Sequence, residues 1–384
     1  MNFARQEFSA HRAINMIGKV SFLYLLTLVK TVLLVTNGTV FAHNIDYVPL
    51  KEVVASLDNG YSVLMGGAAK VDQFLGDEEY DDLLCKNMAL LSAANGCKWH
   101  YTEDDEPPYR RCDEAREFAK KCGMEFRHHA LIWGVESSNP EWLQPNSPEY
   151  GNWTADEKRQ IIIDHITETM TRYKGQTKYY DVVNEAVCNC IWRDSKFTTC
   201  EEYMATENGF EKCGYSERYQ TYLSKNVFWP DVEDYISLSF NIAHEIDPDA
   251  LLGLNEYKFE SVKGYVNGGF LKEKGISMYN LTKALKDEGV PINYVGSQTH
   301  IDLSYYTDFE GYIDSLKEYS QNFVQDLGVE WQFTETTVSA IEEESKFTSQ
   351  DKIMNSSSND CAVDWERCNQ NDGCCSEDFE CYRR

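Results

Sequence analysis

Short apolar segments alternate with longer amphipathic segments along most of the chain. Short continuous or alternating apolar runs predict strands, whereas apolar residues spaced three and four apart predict helices. Seven segments fit the strand pattern: residues 61–69, 97–101, 124–133, 178–185, 250–257, 292–301 and 329–338. Strands that alternate with helices are typical of a parallel sheet, so the sequence predicts an α/β fold.

The clearest predicted helix covers residues 154–175, where Thr154 precedes the apolar pattern and is a candidate N-cap. Its apolar residues form one stripe that should pack against the sheet: Ile162, Ile163, Ile166, Met170 and Tyr173. Other helices are predicted at residues 80–91, 112–123 and 231–250. Residues 188–225 interrupt the alternation, and their four cysteines indicate a loop insertion held by disulfides.

The first 42 residues have the order of a secretory signal peptide. Basic residues precede an apolar run, and small residues follow it around Ala42. A retained signal anchor is the alternative, but Lys30 divides the apolar run, which favours cleavage. No later segment is long and apolar enough to span a bilayer. The sequence therefore predicts a secreted, extracellular protein without stable membrane association after cleavage.

Thirteen cysteines in a chain with a signal peptide predict disulfide bonds. Their spacing lacks the paired Cys and His motifs of a zinc site, so no metal is expected. Three acceptor sequences, at Asn152, Asn280 and Asn355, predict a glycoprotein. Residues 43–344 would form the main domain, residues 345–360 a serine-rich linker, and residues 361–384 a Cys-rich tail. Two interpretations of the tail are open, a partial carbohydrate-binding or cystine-knot module and a disordered remnant.

The charge balance restricts the class of partner. The sequence has 63 acidic and 36 basic residues, a formal net charge of -27 at pH 7. Such a chain repels nucleic acid at long range, so a neutral ligand fits better. We expect a monomer.

Polar residues follow several predicted strands at their carboxyl ends. These residues are His129 and Trp133, then Asn184 and Glu185, then Asn255 to Tyr257, then Gln298 and His300, and finally Glu335. In an eight-stranded parallel barrel these ends converge on one face. Two carboxylates without a metal or cofactor motif point to glycoside hydrolysis, which requires one protonated acid and one carboxylate.

Three stretches in this order, DVVNEA at 181–186, GSQTH at 296–300 and TET at 334–336, carry a specific resemblance. The chain resembles family 10 of the glycoside hydrolases, the endo-1,4-β-xylanases with a (β/α)8 TIM barrel fold. The resemblance implies that Glu185 is the general acid and base and that Glu335 is the nucleophile. It implies a retaining hydrolysis of internal β-1,4-xylosidic bonds in xylan by double displacement, and no cofactor.

The resemblance also implies a set of sugar-binding residues: Asn95, Lys98, His129, Trp133, Asn184, Gln298 and His300, with Trp99 beside them. Asn184 would bind the 2-hydroxyl of the sugar that loses its bond, and His300 would orient the nucleophile. Retention of configuration implies carboxyl groups about 5 to 5.5 Å apart.

The chain departs from the family pattern at three places. Ala94 stands where the family usually has a Glu that binds a glycone sugar, and Gly134 stands where it commonly has His. After Ser339 no segment resembles the last barrel unit, so the barrel is expected to have a missing or altered eighth strand-helix unit. Two alternatives are therefore open, a catalytically inactive carbohydrate-binding barrel and an enzyme of the same fold acting on another β-glucan.

Overall fold

A computed structural model describes residues 48–56, 63–148, 152–189, 200–260, 270–302 and 309–339. The predictions for the signal peptide, the linker and the Cys-rich tail lie outside these residues. Among the described residues, no helix has both the length and the apolar character needed to cross a membrane.

The sheet at the centre of the described residues has seven strands, all parallel to their neighbours, in the order β1-β2-β3-β4-β7-β8-β10. Two further pairs, β5 with β6 and β9 with β11, form small separate sheets. The strands are β1 Gly66–Ala68, β2 Leu90–Ser92, β3 Glu125–Trp133, β4 Tyr179–Asn184, β5 Cys213–Ser216, β6 Thr221–Ser224, β7 Leu251–Glu256, β8 Tyr294–Ser297, β9 His300–Asp302, β10 Glu330–Phe333 and β11 Thr337–Ser339. Within the described residues, β1 and β10 are the two edges of the large sheet, which is therefore open there.

Helices connect successive strands of the large sheet, as the alternation of patterns predicted. They are α1 Leu50–Ser56, α2 Val71–Phe74, α3 Glu78–Asn87, α4 Trp99–Asp104, α5 Arg110–Lys121, α6 Ala155–Tyr173, α7 Cys200–Met204, α8 Glu207–Lys212, α9 Tyr235–Ile246, α10 Phe270–Asp287 and α11 Phe309–Asp326. Two short 3-10 turns, Glu136–Ser138 and Glu141–Leu143, follow β3. Since a right-handed helical crossover joins parallel strands, the strand ends with the site residues meet at one edge of the sheet.

Helix α6 confirms the prediction for residues 154–175. The Thr154 hydroxyl accepts a hydrogen bond from the Glu157 backbone N–H, and the Glu157 carboxylate accepts one from the Thr154 backbone N–H. This reciprocal arrangement is a capping box, which satisfies donors that the first turn leaves unpaired. The predicted stripe packs against the sheet: Ile162, Ile166, Met170 and Tyr173 are fully buried, and Ile163 is half-buried.

The strand predicted at residues 97–101 is wrong. Residues 97 and 98 precede helix α4, and the second strand of the sheet is β2, which lies at the end and just beyond the helix predicted at 80–91. Helical spacing suits Trp99 because its ring Nε1 donates to the Glu103 carboxylate one turn later, at 2.6 Å. The Trp99 ring is buried and stacks on His165, with centroids 3.7 Å apart.

Three disulfides confirm part of the cysteine prediction: Cys85–Cys122, Cys97–Cys112 and Cys188–Cys213. The third bridge ties the start of the insertion after β4 to the first residue of the β5–β6 hairpin. The hairpin also lies against the chain that follows β4, because Val187 and Leu223 pair through their backbones as in an antiparallel sheet. The β5–β6 hairpin of the insertion therefore lies beside the chain that follows β4.

Candidate active site

The structure brings all nine predicted site residues together: eight lie at or just beyond the carboxyl ends of neighbouring parallel strands, and His129 lies within β3. Trp133 and Asn184 end β3 and β4 and lie opposite each other in the sheet. Glu185 follows β4, Gln298 and His300 follow β8, and Glu335 follows β10. Asn95 and Lys98 follow β2. The contacts below join these residues into one network, whereas their individual roles remain predictions.

Glu185 is held by contacts on both carboxylate oxygens and on its backbone. Gln298 Nε2 donates to Oε1 at 3.0 Å, and Trp133 Nε1 donates to Oε2 at 3.2 Å. The backbone N–H donates to the Asn255 carbonyl at 2.9 Å. The backbone φ of +54° lies in the left-handed region, which costs a non-glycine residue of order 1 kcal/mol or more. Surrounding contacts must therefore maintain this conformation.

Glu335 is surrounded by donors, and a third of its side chain is exposed. Asn255 Nδ2 donates to Oε1 at 3.0 Å. His300 Nε2 lies 3.6 Å from Oε2, and His129 Nε2 lies 3.8 Å from Oε1. Burial raises the pKa of Glu335, but the nearby rings of His300 and His129 outweigh it and hold the pKa below its ordinary value. Glu335 is therefore a carboxylate at neutral pH.

Gln298 and His300 connect the two acids. Gln298, which donates to Glu185, accepts at Oε1 within 3.1 Å of His300 Nε2, and His300 in turn faces Glu335. Asn255 Nδ2 donates both to Glu335 and to Asn184 Oδ1, the latter at 2.9 Å. The two glutamates therefore face the same space, although 150 positions separate them in the sequence.

The position of Glu335 depends on a change of register between the segments 294–302 and 330–339. Ser297 on β8 is opposite Phe333 on β10, and His300 on β9 is opposite Thr337 on β11. Two residues, 298 and 299, lie between Ser297 and His300, whereas three residues, 334–336, lie between Phe333 and Thr337. Residues 334–336 therefore contain one extra residue. An extra residue of this kind bends a strand and redirects its side chains. This irregularity divides each of the predicted strands 292–301 and 329–338 into two shorter strands.

Asn95 and Lys98 form a pair next to Trp133 and near both acids. Lys98 Nζ donates to Asn95 Oδ1 at 2.7 Å and lies 4.6 Å from the centre of the Trp133 ring. Burial lowers the pKa of Lys98 below its ordinary value, while the fields of Glu335 and Glu185 act in the opposite direction. Lys98 is therefore close enough to interact with both acids. The expectation that Trp99 contacts sugar is wrong, because its ring is 3% exposed in the core.

Three buried residues beneath the site, Asp181, Arg127 and Tyr294, were not predicted from the sequence. The Asp181 carboxylate accepts hydrogen bonds from His129 Nδ1 at 2.9 Å, from Arg127 Nε at 2.9 Å and from the Tyr294 hydroxyl at 3.1 Å. Burial raises the pKa of Asp181, but Arg127 and His129 lower it well below its usual value. Asp181 thus fixes the ring of His129, whose other nitrogen faces Glu335. A charged residue inside an otherwise apolar strand was the available signal.

Asn255 was named as a strand-end residue but not as a site residue, and only its contacts show that it joins Asn184 to Glu335. Glycine at position 134 is also explained. A Cβ there would lie 2.3 Å from Asn226 Cγ, so Asn226 occupies the space that a side chain would need.

A cavity of about 110 Å³ opens beside Glu185 on the side of the insertion. Its lining is Gly134, Val135, Glu185, Val187, Ser224, Lys225, Asn226 and Tyr257.

One cluster of metal-binding residue types occurs in the described residues, formed by Cys97, Cys112 and His128. The two cysteines are joined in a disulfide, so neither provides a thiolate. The residues of this cluster therefore do not fit a metal ion.

Comparison with known proteins identifies relatives of one kind. Residues 54–376 match the profile of glycosyl hydrolase family 10. The chain is 32% identical over 266 residues to a β-1,4-xylanase of Dictyoglomus thermophilum, covering 68% of this chain and 60% of that protein. It is 29% identical to endo-1,4-β-xylanase A of Humicola insolens, covering 68% of this chain and 57% of the relative. The chain thus spans less than two thirds of these relatives.

Solved structures show the same likeness. Native xylanase 10B from Thermotoga maritima matches with a TM-score of 0.56 at 26% identity, over 76% of this chain and 74% of that one. Xylanase 10B from Thermotoga petrophila, solved in complex with xylobiose, matches with a TM-score of 0.57 at 25% identity, over 77% of this chain and 75% of that one.

Proposed function

This chain belongs to glycosyl hydrolase family 10 and has the (β/α)8 fold class, and we propose that it is a retaining endo-1,4-β-xylanase. Its substrate would be xylan, cut at internal β-1,4-xylosidic bonds. The observation that carries the proposal is the pair Glu185 and Glu335, joined through Gln298 and His300 at one edge of the parallel sheet. The xylanase names of the relatives, one of them solved with xylobiose, support this substrate class.

In the first step, the Glu335 carboxylate attacks the anomeric carbon and forms a glycosyl ester. At the same time Glu185 transfers its proton to the glycosidic oxygen, and the leaving sugar departs as an alcohol. The lowered pKa of Glu335 keeps the nucleophile ionised for this attack. Asn184 lies next to Glu335 through their shared partner Asn255, where it can bind the 2-hydroxyl of the reacting sugar.

In the second step, Glu185 is a carboxylate and removes a proton from water. The resulting hydroxide attacks the anomeric carbon, the bond to Glu335 breaks, and the configuration of the sugar is retained. Ester formation removes the charge of Glu335, which facilitates the change of Glu185 from acid to base. The mechanism requires the two carboxyl groups to be about 5 to 5.5 Å apart.

Replacing Glu335 with Gln tests this role. The amide retains the shape and can still contact Asn255 and His300, but it is a poor nucleophile. Release of reducing sugar from xylan should fall by at least about 10⁴-fold. Glu330→Gln is the matched control, because Glu330 is an exposed carboxylate on the strand that leads to Glu335, and this variant should retain full activity.

The same assay separates the proposal from its alternatives. Retained hydrolysis by Glu335→Gln would refute the assignment of the nucleophile. An unmodified protein that binds insoluble xylan in a pull-down but releases no sugar would instead be an inactive carbohydrate-binding barrel. Faster release of sugar from another β-glucan than from xylan would favour an enzyme of the same fold that acts on that glucan.

A further inference from the structure

A buried ion pair lies close enough to Glu185 to interact with its charge. Glu256 is the last residue of β7, and Lys274 lies on α10. Lys274 Nζ is 2.8 Å from Glu256 Oε1, and the residues are 3% and 1% exposed. Burying two charges costs several kcal/mol for each, so such a pair persists only with further hydrogen bonds. The further hydrogen bonds of this pair connect it to the chain around Glu185.

The pair binds the segment that follows Glu185. Glu256 Oε2 accepts a hydrogen bond from the Val187 backbone N–H at 3.0 Å. Lys274 Nζ donates to Asn189 Oδ1 at 2.7 Å. The pair therefore contacts this segment two and four residues after the acid.

The same pair also fixes Tyr257, which lines the cavity beside Glu185. The Tyr257 backbone N–H donates to Glu256 Oε1 at 2.9 Å, and Lys274 Nζ lies 3.6 Å from the centre of the Tyr257 ring. Asn189 Nδ2 completes the cluster by donating to the Tyr257 hydroxyl. Two walls of the cavity, Val187 and Tyr257, thus depend on one buried pair.

The opposite side of this segment is fixed by the insertion. The Ser224 backbone N–H donates to the Ala186 carbonyl at 2.9 Å, and the Cys188 N–H donates to the Tyr222 carbonyl at 3.1 Å. The segment is therefore clamped between the hairpin and the ion pair. Because Glu185 has a left-handed backbone, a clamp of this kind is what keeps its carboxyl group aimed.

We propose that Glu256 and Lys274 are positioning residues that aim Glu185 at the glycosidic oxygen of the leaving group. This inference rests on the proposed xylanase function and deepens it. Proton transfer requires heavy atoms within hydrogen-bond reach, so a small displacement of Glu185 slows departure of a poor leaving group. A leaving group that departs without a proton is insensitive to that displacement.

Two aryl glycosides with the same sugar portion provide the test. Phenyl β-xylobioside has a poor leaving group that requires acid assistance, whereas 2,4-dinitrophenyl β-xylobioside does not require it. Lys274→Met, which keeps an unbranched side chain one atom shorter and removes its charge, should lower kcat/KM for the phenyl substrate by about 10- to 100-fold. For the dinitrophenyl substrate it should lower kcat/KM by less than about 3-fold.

Asn189→Ala is a milder variant that leaves the ion pair intact, and it should change the ratio of the two values in the same direction by less. If Lys274→Met does not fold, the ratio of kcat/KM on the two substrates is measured with Asn189→Ala instead. Lys158→Met is the matched control, because Lys158 is also a buried lysine in an ion pair, with Asp231 at 2.6 Å, on helix α6. This control should leave the ratio unchanged.

Each result decides the inference. An equal loss on both substrates in Lys274→Met and Asn189→Ala, with activity present in the unmodified protein, would overturn the positioning role and leave the proposed function intact. If the unmodified protein hydrolyses neither aryl xylobioside nor xylan, the proposed function fails and this inference fails with it. A selective loss on the phenyl substrate alone supports the inference.

Discussion

At the scale of single residues, the chemistry of Glu335 depends on its neighbours more than on its own type. His300 and His129 stabilise its negative charge, whereas burial and the charge of Asp181 oppose it. Asp181 has a second effect, because it fixes His129 through the Nδ1 hydrogen bond. Two histidines therefore lower the pKa of the proposed nucleophile, and hydrogen bonds to Asp181 and Gln298 hold their rings in place.

Replacing His300 with Asn should shift the pH dependence of kcat/KM. The nearby His300 ring lowers the pKa of Glu335, so loss of that ring raises the pKa. Since the proposed nucleophile can attack only when it is ionised, the acidic limb of the profile should move to higher pH, as measured on an aryl xylobioside. His100→Asn is the control, because His100 pairs with Asp104 on α4. An acidic limb that stays in place in His300→Asn would contradict this account.

At the scale of elements, local sequence determines where the helices begin, and irregular strand ends create the site. Helix α6 begins at a capping box that is visible in the sequence. In contrast, the extra residue among 334–336 has no sequence signature, although it redirects Glu335. Regular elements thus support the irregular ones, which carry the reactive groups.

Removing the cap of α6 should weaken the fold without changing the site. Thr154→Ala deletes the acceptor for the Glu157 N–H and should lower the free energy of unfolding by about 1 kcal/mol. Denaturant unfolding followed by circular dichroism measures this change. Thr171→Ala, an exposed position inside the same helix, should be neutral or slightly stabilising. Equal effects of the two substitutions would show that the capping box does not contribute.

At the scale of the whole molecule, composition and disulfides point to the environment in which the protein works. Three disulfides join separate parts of the described residues, and such bonds persist in oxidising compartments. The net charge of -27 repels polyanions but not a neutral polysaccharide. We therefore propose that the protein is secreted and meets xylan outside the cell as a monomer.

Expression in a eukaryotic secretory host tests this proposal. The protein should accumulate in the medium with His43 as its first residue and a sugar chain on Asn152, whose side chain is exposed. N-terminal sequencing and mass spectrometry before and after deglycosylation measure both properties. Asn152→Gln is the control for the mass shift. Retention in the membrane fraction with the first 42 residues intact would favour the signal anchor instead.

The sequence by itself determined the class of the fold, and it supplied the prediction that Glu185 and Glu335 are the two catalytic acids. Alternating strand and helix patterns predicted the parallel sheet, since each pattern reflects which faces must be buried. The short strand β2 was missed because three residues are too few for a periodic signal, and Trp99 was misplaced because a buried and a sugar-binding tryptophan look alike in sequence.

Only the tertiary structure decided which residues support the acids. Asn255, Asp181 and the pair Glu256 and Lys274 act through contacts between residues at least 18 positions apart, and composition and local spacing do not encode such contacts. The charge of Glu335 and the aim of Glu185 follow from the donors that folding places around them. A carboxylate type can be read from the chain, but its pKa and direction depend on the three-dimensional surroundings.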